Sequence, residues 1–136
     1  MLGEFTWSVL EKDMEGLAQR FKAVSRNVAN ADTPGYTRRN VSFEDQLRDV
    51  IQSGKKLRMT VTDPAHIPTR PLLVSDVKPV ELKIRDEAYR LDGNNVDPER
   101  EMAVMAETRM MYNAMNRLAA KKLAIYRSAK DRKSVV

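Results

Sequence analysis

The first third of the chain carries a heptad seam that is cut off by a polar cap and a Pro-Gly turn. Apolar residues recur at alternating intervals of four and three: Trp7, Leu10, Met14, Leu17, Phe21, Val24, Val28 and Ala31. A helix with this spacing presents a narrow apolar seam and must bury it against another helix. The predicted helix runs from about Phe5 to Ala31, roughly 40 Å at about 1.5 Å per residue. Gly16 falls inside it, off the seam, at a cost of up to about 1 kcal/mol relative to Ala. Such a helix is marginal alone, so packing must hold it. Asn30 and Asp32 bond readily to their own backbone and suit a helix exit. Thr33-Pro34-Gly35-Tyr36 then reads as a type II turn, with Pro34 presetting the second position and Gly35 taking positive φ at the third. Asn27 is a poor helix-interior residue, which makes it a candidate for an interhelix or intersubunit hydrogen bond.

A second seam occupies the last third. Asp97 is a candidate N-cap, and Pro98 suits the first helical position, where its missing N–H costs nothing. Glu99 and Glu101 put negative charge in the first turn, where the helix dipole favours it. Two residues apart on a helix, they do not face each other as a catalytic carboxylate pair would. The seam reads Val104, Thr108, Met111, Met115, Leu118, Lys122 and Ile125, widened by Tyr112, Ala119 and Tyr126. Ala114, Ala119, Ala120 and Ala124 are small enough to admit a second helix at close range. Five of the eight methionines (Met102, Met105, Met110, Met111, Met115) crowd this segment. Methionine fills irregular gaps, which suits an ordinary helix core or packing against several neighbours. From Ser128 to Val136 the helix is expected to fray. Upstream, Gly93-Asn94-Asn95 reads as a turn leading into the cap.

The middle has another character. Phe43, Leu47, Val50 and Ile51 support a short helix over Phe43 to Ile51, ended by Ser53-Gly54. Pro64, Pro68, Pro71 and Pro79 then interrupt every candidate helix. Extended runs are expected at Leu57 to Thr62 and Val80 to Ile84, with a weaker one at Leu72 to Val74. The expected fold is mainly α. Long N- and C-terminal helices pair as a coiled coil, with a Pro-rich irregular or small β segment between. The expected segments are 1–36, 37–92 and 93–136, all within one axial domain.

The chain lacks the usual equipment for chemistry. There is no cysteine, so disulfides and thiolate chemistry are excluded. His66 is the only histidine and has neither ligand spacing nor a nucleophile-elbow pattern to serve. The five glycines stand singly, so no phosphate loop is formed. The net charge of +5 is modest, and the basic tail (Lys121, Lys122, Arg127, Lys130, Arg132, Lys133) complements a helix C-terminus. No stripe of the kind that binds nucleic acid is visible. No apolar run approaches the about 20 residues of a membrane span. The first residues carry acids and lack the apolar core of a cleaved secretory signal.

Two motifs carry a family resemblance. Asn27-x-x-Asn30 running into Thr33-Pro34-Gly35-Tyr36 resembles the signature of the bacterial flagellar rod and hook family. Leu91-Asp92-Gly93-Asn94-Asn95-Val96-Asp97, followed by Glu99 and Glu101, resembles the opening of the C-terminal helix in its proximal rod proteins. The resemblance covers the two terminal thirds. It implies a structural subunit, without cofactor or small-molecule substrate, that self-associates into a helical, torque-carrying axial filament. Its implied place is the basal-body rod crossing the periplasm, reached through the flagellar export apparatus without a cleaved signal. The implied partners are other proximal rod proteins, the adaptor at the base of the membrane ring, and the export apparatus. It also adds an intermolecular role to Asn27, Asn30, Asn94 and Asn95. The alternatives are a basic helical binding module and a flagellar export adaptor.

Overall fold

The computed structural model describes residues 2–53, 73–85 and 90–133. Helix α1 spans Leu2–Ala29, strand β1 Arg39–Ser42, helix α2 Glu44–Ser53, strand β2 Val80–Lys83 and helix α3 Pro98–Lys133. A 3-10 turn at Val74–Asp76 precedes β2.

The terminal helices lie antiparallel. At one end Asn27 of α1 meets Glu101 of α3, and at the other the Lys122 Nζ donates to the Gly3 carbonyl at 2.6 Å. The inward face of α3 is marked by the buried Glu101 and Thr108 and the half-buried Met105, Tyr112, Met115, Ala119 and Lys122. These residues also alternate by four and three, one step out of phase with part of the expected seam. Thr108, Met115 and Lys122 are shared, and Val104 is half-buried like its neighbour Met105. Met111, Leu118 and Ile125 are exposed, and the flanking Tyr112 and Ala119 take the inner positions. Glu101 sets this phase, because its carboxylate is fixed to α1 at the start of the pairing. On α1, Leu17 and Val24 are buried and Leu10, Met14 and Val28 half-buried, while Trp7 and Phe21 are more than a third exposed.

The middle segment folds back on the other flank of α1. Val41 and Phe43 join Leu17 and Ala23 in one cluster, against which Tyr112 and Met115 pack. Burying Phe43 completely stabilises the fold by about 1.5–3 kcal/mol. Gly16 belongs to this contact: a Cβ there would lie 2.5 Å from the Phe43 ring. It is therefore buried and on a packed face, not a spare helix position. A second cluster joins Leu47 and Val50 of α2 to Val74 and Val77, with Val9 of α1 packed against it.

Strands β1 and β2 pair antiparallel, with Arg39 opposite Lys83 and Ser42 opposite Val80. Only the second was expected. Arg39-Asn40-Val41-Ser42 has a single apolar residue and no readable alternation. Val74, expected as extended, instead opens the 3-10 turn. Val74 opens the turn and Val77 leaves it in extended backbone, and both are buried in the core. His66, the Leu57 to Thr62 run, Pro64, Pro68 and Pro71 lie outside the described residues. Among the described residues, no helix is long and apolar enough to cross a membrane.

Candidate functional site

The two sequence motifs form one site. The Tyr36 N–H donates to the Thr33 carbonyl at 3.3 Å, closing the turn, and Gly35 takes a φ of +70°. Those are the marks of a type II turn. Gly93 takes a φ of +84°, and a Cβ on it would sit 3.8 Å from the Gly35 Cα. The Gly35 N–H donates to the Asp92 carbonyl at 3.0 Å. The two glycine turns are thus stacked against each other.

Asn94 is fully buried beneath the end of α1. Its Nδ2 lies 3.0 Å from the Asn30 carbonyl, 3.0 Å from that of Ala31 and 2.8 Å from that of Thr33. Two amide protons are shared among three acceptors. They add a second bond to carbonyls in the turn that follows α1, where the Asn30 carbonyl also accepts from the Thr33 N–H and the Thr33 carbonyl from the Tyr36 N–H. Its Oδ1 accepts from the Val96 N–H at 2.8 Å. The second motif therefore caps the helix of the first. Asn30 caps locally, its Nδ2 donating to the Arg26 carbonyl at 2.8 Å. Outside this core, Arg90 bonds the Asp32 carboxylate at 2.7 Å and the Ala31 carbonyl at 3.3 Å. The Asp32 hydrogen bond raises the pKa of the Arg90 guanidinium.

Asn27 ties α1 to β1 and α3. Its Nδ2 donates to the Arg39 carbonyl at 2.7 Å and to the Glu101 carboxylate at 2.8 Å. Its Oδ1 accepts from the Arg39 N–H at 3.0 Å and the Tyr36 hydroxyl at 3.2 Å. All four bonding positions of the amide are filled inside the chain. Burial pushes the Tyr36 phenol above its ordinary range, so it stays a neutral donor. Glu101 is buried with its second oxygen 3.6 Å from the Arg38 guanidinium. A buried carboxylate is tolerated only when paired and hydrogen-bonded, and Glu101 is both.

Asn95 closes the sheet. Its Oδ1 accepts from the Arg38 N–H and its Nδ2 donates to the Ile84 carbonyl, both at 2.6 Å. Beside them the Ile84 N–H donates to the Arg38 carbonyl at 2.8 Å. Asp97 caps α3, its Oδ1 accepting from the Glu99 and Arg100 N–H groups at 3.0 and 3.4 Å.

The ten junction residues expected from sequence (Asn27, Asn30, Thr33, Pro34, Gly35, Tyr36, Gly93, Asn94, Asn95, Asp97) all lie at this junction. Glu101, Arg38 and Arg90 also belong to it, and sequence reasoning missed their parts. Glu101 read as a dipole complement, yet it stands seven residues before Thr108 and fourteen before Met115, in phase with the inner face. Among the described residues no buried side-chain polar atom lacks a partner, and no group of His, Cys, Asp or Glu could hold a metal ion. The site is a set of mutually satisfied hydrogen bonds that fixes the angle between chain segments.

Comparison with known proteins adds to this geometry. Residues 14–37 match the family model described as flagella basal body rod protein. The chain is similar to the flagellar basal body rod protein FlgB of Escherichia coli strain K12, 36% identical over 99 residues and 70% of each chain. It is 31% identical over 110 residues to the FlgB of Borreliella burgdorferi, covering 79% of this chain and 82% of the relative. To the FlgB of Bacillus subtilis strain 168 it is 32% identical over 94 residues, 69% of this chain and 68% of the relative.

Proposed function

Because the chain belongs to the FlgB family of flagellar basal-body rod proteins, we propose that it enters the proximal rod as an antiparallel helical hairpin held by the junction. It is a structural subunit of the rod and not an enzyme. The observation that carries the finer reading is the Asn94 cap, which makes the two terminal segments one unit. A subunit that transmits torque across the periplasm must not splay, and buried bonds between its terminal segments resist splaying. In this reading α1 and α3 wind as a coiled coil, and neighbouring subunits cover the apolar side chains they leave exposed. Contacts of this kind, repeated by rotation and rise, build a helical filament. Other proximal rod proteins, the membrane-ring adaptor and the export apparatus are its proposed partners. Asn27 and Asn94 act within the subunit.

The test is complementation of a strain lacking this chain. The parent chain restores swimming and co-purifies with basal bodies. An Asn94→Asp chain, exported in normal amount, fails to enter them. Normal rods from Asn94→Asp chains would remove the junction from the mechanism, and absence of the parent from basal bodies would remove the rod reading itself.

A further inference from the structure

Strand β2 has an open edge, whereas its partner β1 is filled on both sides. Toward β2 runs the antiparallel ladder, which the Ile84 N–H continues by donating to the Arg38 carbonyl at 2.8 Å. Bonded pairs alternate along such a ladder, so Asn40 and Ser42 bond β2 while Arg39 and Val41 turn their backbone groups the other way. Side chains of this chain take all four of those groups. Asn27 holds the Arg39 N–H and carbonyl, Arg20 donates to the Val41 carbonyl at 3.1 Å, and the Asn40 Oδ1 accepts from the Val41 N–H at 2.9 Å. On β2 the same alternation turns the N–H and carbonyl groups of Glu81 and Lys83 outward. Among the described residues nothing bonds them.

The side chains of β2 face the wrong way for a strand that serves only its own core. Val41 is buried beside α1, so Glu81 opposite it also faces α1, where it bonds Arg26 at 3.3 Å and Arg39 at 2.6 Å. Val80 and Leu82 therefore point away from the core, 41% and 46% exposed, with the half-buried Ile84 next in the row. Lys83 stands opposite Arg39, like charge on like.

Val80-Glu81-Leu82-Lys83-Ile84 is complementary to itself. When two copies of β2 lie edge to edge and antiparallel, centred on Leu82, Glu81 of each forms a bonded pair with Lys83 of the other. Every outward backbone group of Glu81 and Lys83 then has a partner, and each Lys83 meets a carboxylate. On the opposite face Leu82 meets Leu82 and Val80 meets Ile84, in the pairs where side chains come closest. The adjacent registers fail. One sets Glu81 on Glu81 and Lys83 on Pro79, which has no N–H to give, and the other sets Lys83 on Lys83.

We propose that β2 pairs with β2 of a second copy across a two-fold axis at Leu82, making a four-stranded antiparallel sheet. The contact is isologous and closes at two, whereas copies along a rod repeat in one polarity. It therefore belongs to the free chain, goes beyond the rod reading and does not depend on it. Two short strands make a small contact, so its occupancy rises with concentration. Until assembly it covers an edge that would otherwise recruit strands at random.

The chain has no cysteine, so an introduced one reports the contact without background. Non-bonded partners across a ladder lie about 4.5 Å apart at Cα, within the span of a disulfide. The purified Leu82→Cys chain should crosslink to itself on mild oxidation. Val80→Cys, which faces Ile84 across the axis, should not. In sedimentation the parent should pass from monomer to dimer as concentration rises. Leu82→Glu and Leu82→Lys, both at an exposed position, should each be monomeric, and an equimolar mixture of the two should dimerise. A parent that stays monomeric up to its solubility limit, or that grows past the dimer, would overturn the pairing. So would Val80→Cys crosslinking as readily as Leu82→Cys, or a mixture of the charge variants that stays monomeric. None of these readouts involves basal bodies, so their failure leaves the rod reading standing, and a parent absent from basal bodies leaves this pairing standing.

Discussion

Asn94 is the residue on which most of the junction converges. Replacing it by Ala removes its bonds to three carbonyls just beyond α1, each of which keeps one other donor, and leaves a void beside them. At about 1 kcal/mol per net hydrogen bond the loss is about 2–3 kcal/mol. Asn94→Asp should cost more, because it removes the donors and sets negative charge against the negative end of a helix. Urea unfolding of the monomer reads both. A midpoint unchanged by Asn94→Ala would show that the cap is idle. Asp13 offers the opposite case. Desolvation raises its carboxyl above the ordinary 3.8, Glu44 adds to the shift and Arg20 opposes it. The folded chain therefore favours the protonated form. Its contribution is fully present below about 3.8 and is lost as pH rises through the higher folded value. Asp13→Asn should raise the melting midpoint slightly at pH 7, and the gain should vanish near pH 3. A gain that is the same at both pH values would mean that ionisation of Asp13 does not matter.

Among elements, the contact between α1 and the segment around Phe43 is the most sensitive to volume. Helix propensity favours Ala over Gly at position 16 by up to about 1 kcal/mol. The Phe43 ring stands where that methyl group would go, and overpacking costs about 1–3 kcal/mol. The clash should win, so Gly16→Ala destabilises the chain. In a Phe43→Leu background the same change should become neutral or stabilising, and strictly additive effects of the two substitutions would contradict the packing. Gly16 also shows where sequence reading ends. Periodicity located α1, α2, β2 and α3, and residue chemistry located the Pro-Gly turn and the Asp97 cap, because those signals are local. Strand β1 left no such signal, since Asn27, Asn95 and β2 supply its partners from elsewhere in the chain. The phase of α3 was ambiguous by one position because Met111 and Tyr112, and Leu118 and Ala119, are neighbours of which either could face inward, while Val104 and Met105 are both half-buried. The buried Glu101 settled it, and a carboxylate gives no apolar signal. The junction residues were legible as two separate turns. That Asn94 of one caps the helix of the other depends on how the chain returns, which no local pattern encodes.

For the whole molecule, the described buried apolar residues lie along α1, the middle segment and the approach to α3, and much of the outer surface of α3 stays apolar and open. Such a hairpin is internally fixed at the junction and unfinished on its flanks, which suits a subunit that completes its core on assembly. On the proposed reading the junction holds α1 and α3 together as one hairpin inside the rod. The most direct measurement is the density of an intact basal body at side-chain resolution, with this chain traced through it. In that density α1 and α3 of each copy are expected to run antiparallel, with Asn94 under the turn that follows its own α1 and Asn27 against its own Glu101. A rod in which the two helices of a chain part company, each paired instead with a neighbour and Asn94 drawn away from α1, would contradict it.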